Sequence, residues 1–219
     1  MDWTFIKQSI LLFIEASEIT LKLGFAAILF SLIIGLVCCI CTYYKIPVLK
    51  TMSKIYVELS RNTPSLVQLF FMYYGLPKIG LMLQAQTCAI VSLSFLGGGY
   101  MAEAFRSGFE TVSKMQIETG MSIALNKRQI FSYIILPESL TTALPNLGAN
   151  AIFLIKETSI VSAVALMDIT FVAKDIIGTV YKTNEALFMM VVFYLIILLP
   201  CVIMLHILEK KVRKNNLGY

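Results

Sequence analysis

Long runs of apolar residues, separated by short polar stretches, make up most of this chain. Hydrophobic residues occupy 58% of the 219 positions and charged residues 14%, a larger apolar share than in an ordinary soluble domain. The runs are about 20 residues long, which is the length that an α-helix needs to cross a hydrocarbon core about 30 Å thick. They lack the strict alternation of strands in an outer-membrane barrel. The pattern therefore predicts an all-α integral membrane protein.

Five apolar runs reach the spanning length, and they form a single predicted domain over residues 1–219. The runs cover about residues 20–43, 55–76, 87–105, 143–166 and 186–208. The stretch before the first run, FIKQSILLFIEASEI, mixes charged and apolar residues as an interfacial helix would. Within the second run Pro64 removes one backbone donor, so we expect a bend or break there. That position is a candidate hinge near the inner mouth, or alternatively a fixed kink that only shapes the packing.

Basic residues are concentrated in alternate loops. They follow the first, third and fifth runs: Lys45, Lys50, Lys54, Arg61, Arg106, Lys114, Lys127, Arg128, Lys210, Lys211, Arg213 and Lys214. Because Lys and Arg accumulate on the cytoplasmic side, we expect the N-terminus outside and the C-terminus in the cytoplasm. This bias accounts for the net charge of +5, so the charge gives no reason to expect nucleic-acid binding.

The longest segment between spans, at about 108–142, would then lie in the cytoplasm. Apolar residues recur in it at helical spacing: Ile117, Met121, Ala124 and Leu125. This spacing predicts a short amphipathic helix. Pro137 disfavours a continuous helix and so favours a break before the next span. Two interpretations remain open, a helix lying on lipid headgroups and a helix that docks on a partner.

Four ordered motifs resemble those of the permease subunits of ABC importers for polar amino acids. They are YVELSRNTPSLVQLFFMYYGLP at 56–77, GYMAEAFRSGF at 99–109, the loop Glu118-Thr119-Gly120 with Ala124 and Leu136-Pro137, and LIKETSIVSAV at 154–164. The likeness extends from about residue 17 to the end. The loop departs from the family pattern, because Ala124 stands where the family has Gly and Pro137-Glu138-Ser139 where it has Pro-Gln-Ala. If residue 124 is helical, Ala favours a continuous helix there.

The resemblance implies the transmembrane subunit of an ATP-driven importer of a polar amino acid in the bacterial inner (cytoplasmic) membrane. The implied partners are an ABC ATPase subunit, which would bind ATP and Mg, an extracytoplasmic solute-binding protein, and a second permease chain. The two permease chains would complete the pathway as a homodimer or a heterodimer. The sequence contains no G-x-x-x-x-G-K-[ST] phosphate loop, so ATP hydrolysis is expected on the partner and this chain is not expected to be an enzyme.

Other classes of protein fit the sequence less well. A secondary carrier or channel subunit driven by an ion gradient is the alternative, but such carriers commonly contain paired repeats, and no internal repeat is visible here. For a membrane enzyme we find no catalytic residue, since the only histidine, His206, falls near the cytoplasmic end of the last span, where a packing role is favoured. The five cysteines lack paired metal-ligand spacing, so no metal site is predicted.

The candidate site residues form two groups. Polar residues at membrane depth are costly and tend to face a partner or a pathway. The substrate-pathway candidates are Asn62, Glu103, Lys156, Glu157, Thr158 and Ser159, and the same rule directs attention to Gln68, Asn146 and Asn150. An amino-acid zwitterion needs an acceptor and a donor, which Glu157 and Lys156 offer; the alternative for each is a partner on a neighbouring helix. The ATPase-coupling candidates implied by the resemblance are Glu118, Gly120, Met121, Ala124, Leu125, Arg128 and Pro137.

Overall fold

The structure, a computed structural model, describes residues 1–217, with side chains as far as Val212. Every regular element in this part of the chain is helical. Four helical stretches are long and apolar enough to cross a membrane: Trp3–Tyr43, Ala85–Phe109, Lys127–Val164 and Thr183–Val212. The protein is therefore an all-α, multi-pass membrane protein, as the sequence predicts. Arg213 and Lys214, which contribute to the predicted orientation, have side chains outside the described residues.

The helices follow one another with short connections. The α-helices are α1 (Trp3–Tyr43), α2 (Leu49–Asn62), α3 (Ser65–Phe70), α4 (Ala85–Phe109), α5 (Lys114–Ser122), α6 (Lys127–Ile130), α7 (Leu136–Glu157), α8 (Ile169–Val180) and α9 (Thr183–Leu217). π-Helical turns occupy Phe71–Gly75 and Phe131–Ile135, and 3₁₀ turns occupy Leu76–Ile79 and Thr158–Val164. The third, fourth and fifth predicted runs fall on α4, on α7 with its 3₁₀ extension, and on α9.

The predicted boundary between an interfacial helix and the first span is wrong, because α1 is one helix of 41 residues. Residues 3–23 contain neither Gly nor Pro, so nothing in the local sequence ends the helix. Its early part is also packed, since Phe13 and Ala16 are buried in an apolar cluster with Ile169 and Met189. Burial of these side chains holds the N-terminal turns against α8 and α9 rather than leaving them on the membrane surface.

The break at Pro64 is confirmed. Helix α2 ends at Asn62, Pro64 has φ −58° and ψ 134°, and α3 begins at Ser65. Because Pro has no N–H and disfavours helical geometry in the residue before it, the second run divides at this point. Neither half reaches spanning length by itself, so four helices qualify as spans and the fifth span stays a prediction.

The break expected at Pro137 is wrong. The backbone stays helical from Lys127 to Val164. Just before the proline, the N–H of Leu136 donates to the carbonyl of Phe131, five residues back, in the π-helical turn Phe131–Ile135. Such a turn locally widens the helix, and the helix continues through Pro137 although the proline has no N–H to donate.

The described residues form two compact units, each made of three stretches of chain. The first comprises Met1–Phe30, Thr63–Leu96 and Ile152–Val202; beside the cluster around Phe13 it contains a second core with Leu69, Leu93 and Val161. The second comprises Ser31–Asn62, Gly97–Ala151 and the residues from Ile203 on. In that unit α1 and α4 approach closely at Gly35. A Cβ placed on this glycine would lie only 2.6 Å from the Cβ of Met101. The predicted single domain over 1–219 stays a prediction.

Candidate coupling surface and polar pathway residues

Helix α5 begins and ends at well-defined hydrogen-bonded caps. At its start the Ser113 hydroxyl accepts from the Gln116 N–H at 3.3 Å, while the Ser113 N–H donates to the Gln116 side chain at 2.8 Å, which is a capping box. At its end the Ala124 N–H donates to the Met121 carbonyl at 2.9 Å and the Leu125 N–H to the Gly120 carbonyl at 3.1 Å. This pair of bonds is a Schellman motif, with Ala124 left-handed at φ 61°.

Two coupling candidates therefore lie outside the helix in which the sequence places them. The apolar spacing continues through Ala124 and Leu125, but α5 stops at Ser122. The prediction of a continuous helix through residue 124 is wrong, because the Schellman bonds satisfy the last carbonyls only when the residue after the cap turns left-handed. A second capping box follows, in which Asn126 accepts from the Gln129 N–H at 3.0 Å and starts α6.

One side of α5 is fixed against the residues that lead into α7. Gly120 is buried, and a Cβ added to it would lie 2.7 Å from Cδ1 of Ile134 and 3.3 Å from Cγ1 of Ile130. The absent side chain thus lets α5 approach α6 and the π-helical turn. The Gln116 amide donates to the Glu138 carboxylate at 2.6 Å, which adds a polar tie to the first turn of α7, where Pro137 also lies.

Three apolar side chains of this segment are exposed. Met115, Met121 and Ile123 are 73%, 54% and 68% exposed, and we call these three residues the apolar coupling patch. Sequence reasoning identified Met121 but missed Met115 and Ile123; their signal was two more apolar residues in an otherwise polar stretch. Glu118 and Arg128 are also exposed. Exposed apolar side chains so close in sequence, outside the helices that are long enough to span a membrane, make this segment a candidate interaction site.

Two predicted pathway residues, Asn62 and Glu103, lie in the second unit. The Glu103 carboxylate accepts hydrogen bonds from two nitrogens of the Arg106 guanidinium, the shorter at 2.7 Å. It also lies 3.7 Å from the Arg61 guanidinium. Asn62 donates to the carbonyl and the carboxylate of Glu58 at 2.8 and 3.0 Å. Asn62 thereby caps the C-terminal turn of α2. In the same unit Asn146 and Asn150 donate to the Ser107 hydroxyl at 3.5 Å and the Tyr100 carbonyl at 3.2 Å.

The remaining pathway candidates lie in the first unit. Ser65 donates to the Glu157 carboxylate at 2.7 Å, so the first residue of α3 is tied to the last residue of α7. Thr158 is buried and donates to the Ile155 carbonyl at 2.8 Å, whereas Lys156 is exposed. Ser159 contributes a carbonyl acceptor to Ser162 at 2.9 Å. Sequence reasoning missed Ser65, which is 92 positions from its partner.

Gln68 follows the same break, and its amide donates to the Thr63 carbonyl at 3.1 Å. It thus stabilises the residues on either side of Pro64. Among residues 1–217, His, Cys, Asp and Glu form no group of three placed to hold a metal ion. The hydrogen bonds described above for Glu103, Asn62, Glu157 and Thr158 are each made within one unit.

Known proteins are similar to this chain over almost its whole length. Residues 27–214 match the family described as binding-protein-dependent transport system inner membrane component. "Probable amino-acid permease protein YxeN" of Bacillus subtilis (strain 168) is 39% identical over 171 residues, covering 77% of this chain and 76% of that protein. "Glutamine transport system permease protein GlnP" of Escherichia coli (strain K12) is 30% identical over 214 residues, covering 97% and 98%.

Solved structures agree with these sequence matches. A chain of "Crystal structure of an amino acid ABC transporter with histidines" superposes with a TM-score of 0.89 at 29% identity, covering 96% of this chain and 99% of that one. A chain of the MetNI methionine ABC transporter, in an inward-facing conformation, shares the fold with a TM-score of 0.80 at 18% identity, covering 97% and 99%.

The fold and the matched motifs define an integral membrane permease of the ABC transporter class. The chain belongs to the family of binding-protein-dependent transport system inner membrane components.

Proposed function

We propose that this chain is the transmembrane subunit of an ATP-driven importer for a polar amino acid in a bacterial inner membrane. The single observation that carries the proposal is the apolar coupling patch on a capped helix, in a chain that belongs to a binding-protein-dependent transport family. Relatives named as glutamine and amino-acid permeases support the substrate class.

The coupling patch would dock in a groove of a separate ABC ATPase subunit, which would bind ATP and Mg. Met115, Met121 and Ile123 supply an apolar surface that gains stability when it leaves water. Glu118 and Arg128 supply charged contacts at the rim. Gly120 and Pro137 act on the opposite side, where close packing and the continuous helix into α7 make a stiff connection from the docked segment to a membrane span.

The substrate pathway would form between two permease chains, supplied from outside by a solute-binding protein. Glu157, Lys156 and Ser159 provide an acceptor and donors for an amino-acid zwitterion at one place in the chain. The Ser65–Glu157 hydrogen bond joins that place to the break at Pro64. A movement of α3 relative to α2 at this break would therefore reach Glu157 directly.

Reconstituted transport tests the proposal. The chain is purified together with its ATPase and placed in proteoliposomes. Uptake of radiolabelled polar amino acids is then measured with and without binding protein, and with ATP on the side of the coupling segment. We expect uptake only when ATP and binding protein are both present, and no effect of protonophores. Uptake driven by an ion gradient without ATP would instead establish the secondary-carrier alternative.

A further inference from the structure

Helix α2 lies directly against two glycines of α4. A Cβ added to Gly99 would overlap the Ser60 hydroxyl and lie 3.2 Å from Cγ of Arg61. A Cβ added to Gly98 would overlap the Tyr56 hydroxyl. Any side chain at these two positions would displace α2 or its side chains, so the helices approach each other as closely as small residues allow in membrane bundles.

The face of α2 that is buried within the second unit consists of small side chains. They are Ser53, Val57 and Ser60, and their spacing of four and three residues places them on one face of the helix. Ser60 is fully buried, and its hydroxyl donates to the Val57 carbonyl at 3.1 Å. These small residues determine how closely α2 approaches α4, but none of them carries a charge that could hold the helix there.

A charged attachment follows immediately in the sequence. The Arg61 guanidinium lies 3.7 Å from the Glu103 carboxylate and 5.4 Å from the centre of the Tyr100 ring. Both partners belong to α4, three positions apart and so on neighbouring parts of its surface. Arg61 is therefore joined to α4 by an ion pair and by a cation–π contact. It is the last residue but one of α2, so this attachment holds the end of the helix that precedes Pro64.

Glu103 is itself held in place by its own helix. It accepts from Arg106 at 2.7 Å, and Arg106 also contacts Glu110 at 2.6 Å, so these three residues form ion pairs along one side of α4. Among the described side chains, Arg61–Glu103 is the one ion pair that joins α2 to another helix. The carboxylate thus connects a group fixed on α4 to the end of α2.

We propose that Glu103 is a positioning residue for transport: through Arg61 it keeps α2 fixed on α4 throughout the cycle, so that movement at the Pro64 break is made by α3. This inference rests on the proposed function, since it concerns ATP-driven uptake. It gives Glu103 a role other than contact with substrate, because its carboxylate is used by Arg61 and Arg106.

An engineered disulfide between the two helices tests whether α2 stays fixed. Ser60→Cys/Gly99→Cys is made in protein whose five native cysteines are replaced by alanine. A Cβ on residue 99 would lie 3.2 Å from the Cβ of Ser60, within a few tenths of an ångström of the roughly 3.5 to 4.5 Å that a disulfide needs. In proteoliposomes with ATPase and binding protein, we expect equal ATP-dependent uptake after oxidation and after reduction. Uptake that stops on oxidation and returns on reduction would show that α2 leaves α4 during the cycle, which overturns the proposal.

The same disulfide separates positioning from substrate contact. We expect Glu103→Gln to lower uptake about fivefold, as for the loss of one partly exposed ion pair. In Glu103→Gln with Ser60→Cys/Gly99→Cys, oxidation should restore uptake, because a covalent bond then replaces the ion pair. A carboxylate that binds the substrate ammonium could not be replaced in this way. Uptake that stays low after oxidation, or Glu103→Gln with unchanged uptake, overturns the proposal.

A second pair of variants needs no cysteine and keeps all the glycines. Arg61→Gln should lower uptake as much as Glu103→Gln does, and Arg61→Gln/Glu103→Gln should lower it no further, because each change breaks the same ion pair. Losses that multiply in the double variant would mean independent roles and reject the proposal. Glu110→Gln, which loses a contact within α4 only, is the matched control and should transport normally. Failure of the unsubstituted protein to show ATP-dependent uptake would instead reject the proposed function.

Discussion

Ala124 adopts φ 61° at the end of α5, a conformation that costs an alanine about 1 kcal/mol more than a glycine. The cost is offset by the two Schellman hydrogen bonds that this residue and Leu125 donate. The family pattern has Gly at this position, and a glycine adopts the left-handed conformation without strain. Ala124 adopts the same conformation with strain. The strained residue lies between Met121 and Ile123 on one side and the start of α6 on the other, where it sets the direction of the coupling segment.

We expect Ala124→Gly to stabilise the coupling segment. Removing the strain should slow hydrogen exchange of the residue 124 and 125 amides up to about fivefold, equivalent to about 1 kcal/mol. Mass-spectrometric hydrogen exchange on purified protein measures this. As a control, Ala143→Gly replaces a buried residue of α7 and should speed local exchange, since Gly weakens a helix interior. Faster exchange in Ala124→Gly would show that the left-handed turn is not what limits stability.

Asp168 is the second residue with an unusual environment. It is fully buried and caps α8, accepting from the Phe171 N–H at 2.9 Å and the Thr170 N–H at 3.2 Å. Burial raises the pKa of its carboxyl from 3.8 to about 6, although the two N–H donors oppose this change. The folded-state pKa of Asp168 is higher than its unfolded-state pKa, so the protonated carboxyl stabilises the folded protein. This contribution to the free energy of unfolding is fully present below about pH 4 and is lost as the pH rises through about 6.

We therefore expect a pH-dependent difference between wild type and Asp168→Asn. Asn keeps a side-chain oxygen for the cap but does not ionise. Relative to the variant, wild type should lose on the order of 2 to 3 kcal/mol of stability between pH 4 and 7.5. Thermal unfolding midpoints of both proteins in detergent at several pH values measure this difference. Parallel curves across that range would mean that Asp168 keeps an ordinary pKa in the folded protein.

At the scale of the elements, two prolines have opposite consequences. Pro64 separates α2 from α3, whereas Pro137 lies in a helix that runs on through a π-helical turn. The difference follows from the residues before each proline: Phe131–Ile135 can form the wider turn, while at Pro64 the Asn62 side chain caps α2 and ends it. The break at Pro64 and the tie from Ser65 to Glu157 together make α3 a separate short element.

Pro64→Ala tests whether the break is a hinge. Without proline, α2 and α3 can join into one helix, which would pull Ser65 from Glu157, and we expect uptake to fall at least tenfold. A cysteine placed at Asn62 should change its labelling rate between ATP-bound and ATP-free states in the wild-type background and lose that change with Pro64→Ala. Ser65→Ala removes the hydrogen bond and keeps the break, so it separates the two effects. If Pro64→Ala transports normally and the labelling rate at residue 62 does not differ between the ATP-bound and ATP-free states, the break is only a fixed kink.

The sequence predicted elements better than their ends or their contacts. The apolar runs and Pro64 predicted α4, α7, α9 and the break, because those features are local. The continuous α1 depends on burial of Phe13 by residues about 150 positions away or more, and the end of α5 depends on a left-handed alanine, for which the sequence carries no Gly signal. The Ser65–Glu157 contact joins distant positions, so no periodicity indicates it.

At the scale of the whole molecule, the proposed function requires a pathway and a coupling surface in the same protein. Glu103 and Glu157 are the acidic candidates for the pathway, and their environments differ. Glu103 is paired with Arg106, whereas Glu157 accepts from the Ser65 hydroxyl and is the better placed of the two to exchange its partner for a substrate ammonium.

We expect Glu157→Gln to lower amino-acid uptake at least tenfold while the ATPase stays bound. The amide can still accept from Ser65 but offers no negative charge to an ammonium group. Uptake of labelled amino acids at matched membrane levels measures this, with Glu110→Gln, an exposed partner of Arg106, as the control. If neither Glu157→Gln nor Glu103→Gln changes uptake, these carboxylates do not belong to the pathway.

We propose that the apolar coupling patch transmits force from a separate ATPase, and the decisive measurement is whether Met121→Asp retains that ATPase. Met121 is 54% exposed, so the variant should fold and insert in the membrane normally, but a docked carboxylate without a partner would cost several kcal/mol. We expect Met121→Asp to lose the ATPase on affinity purification, Met121→Leu to keep it, and Glu118→Gln to weaken it only slightly. Retention of the ATPase by Met121→Asp at wild-type stoichiometry, with ATP-dependent uptake intact, would show that this patch does not couple the ATPase and would leave α5 as a helix lying on the membrane surface.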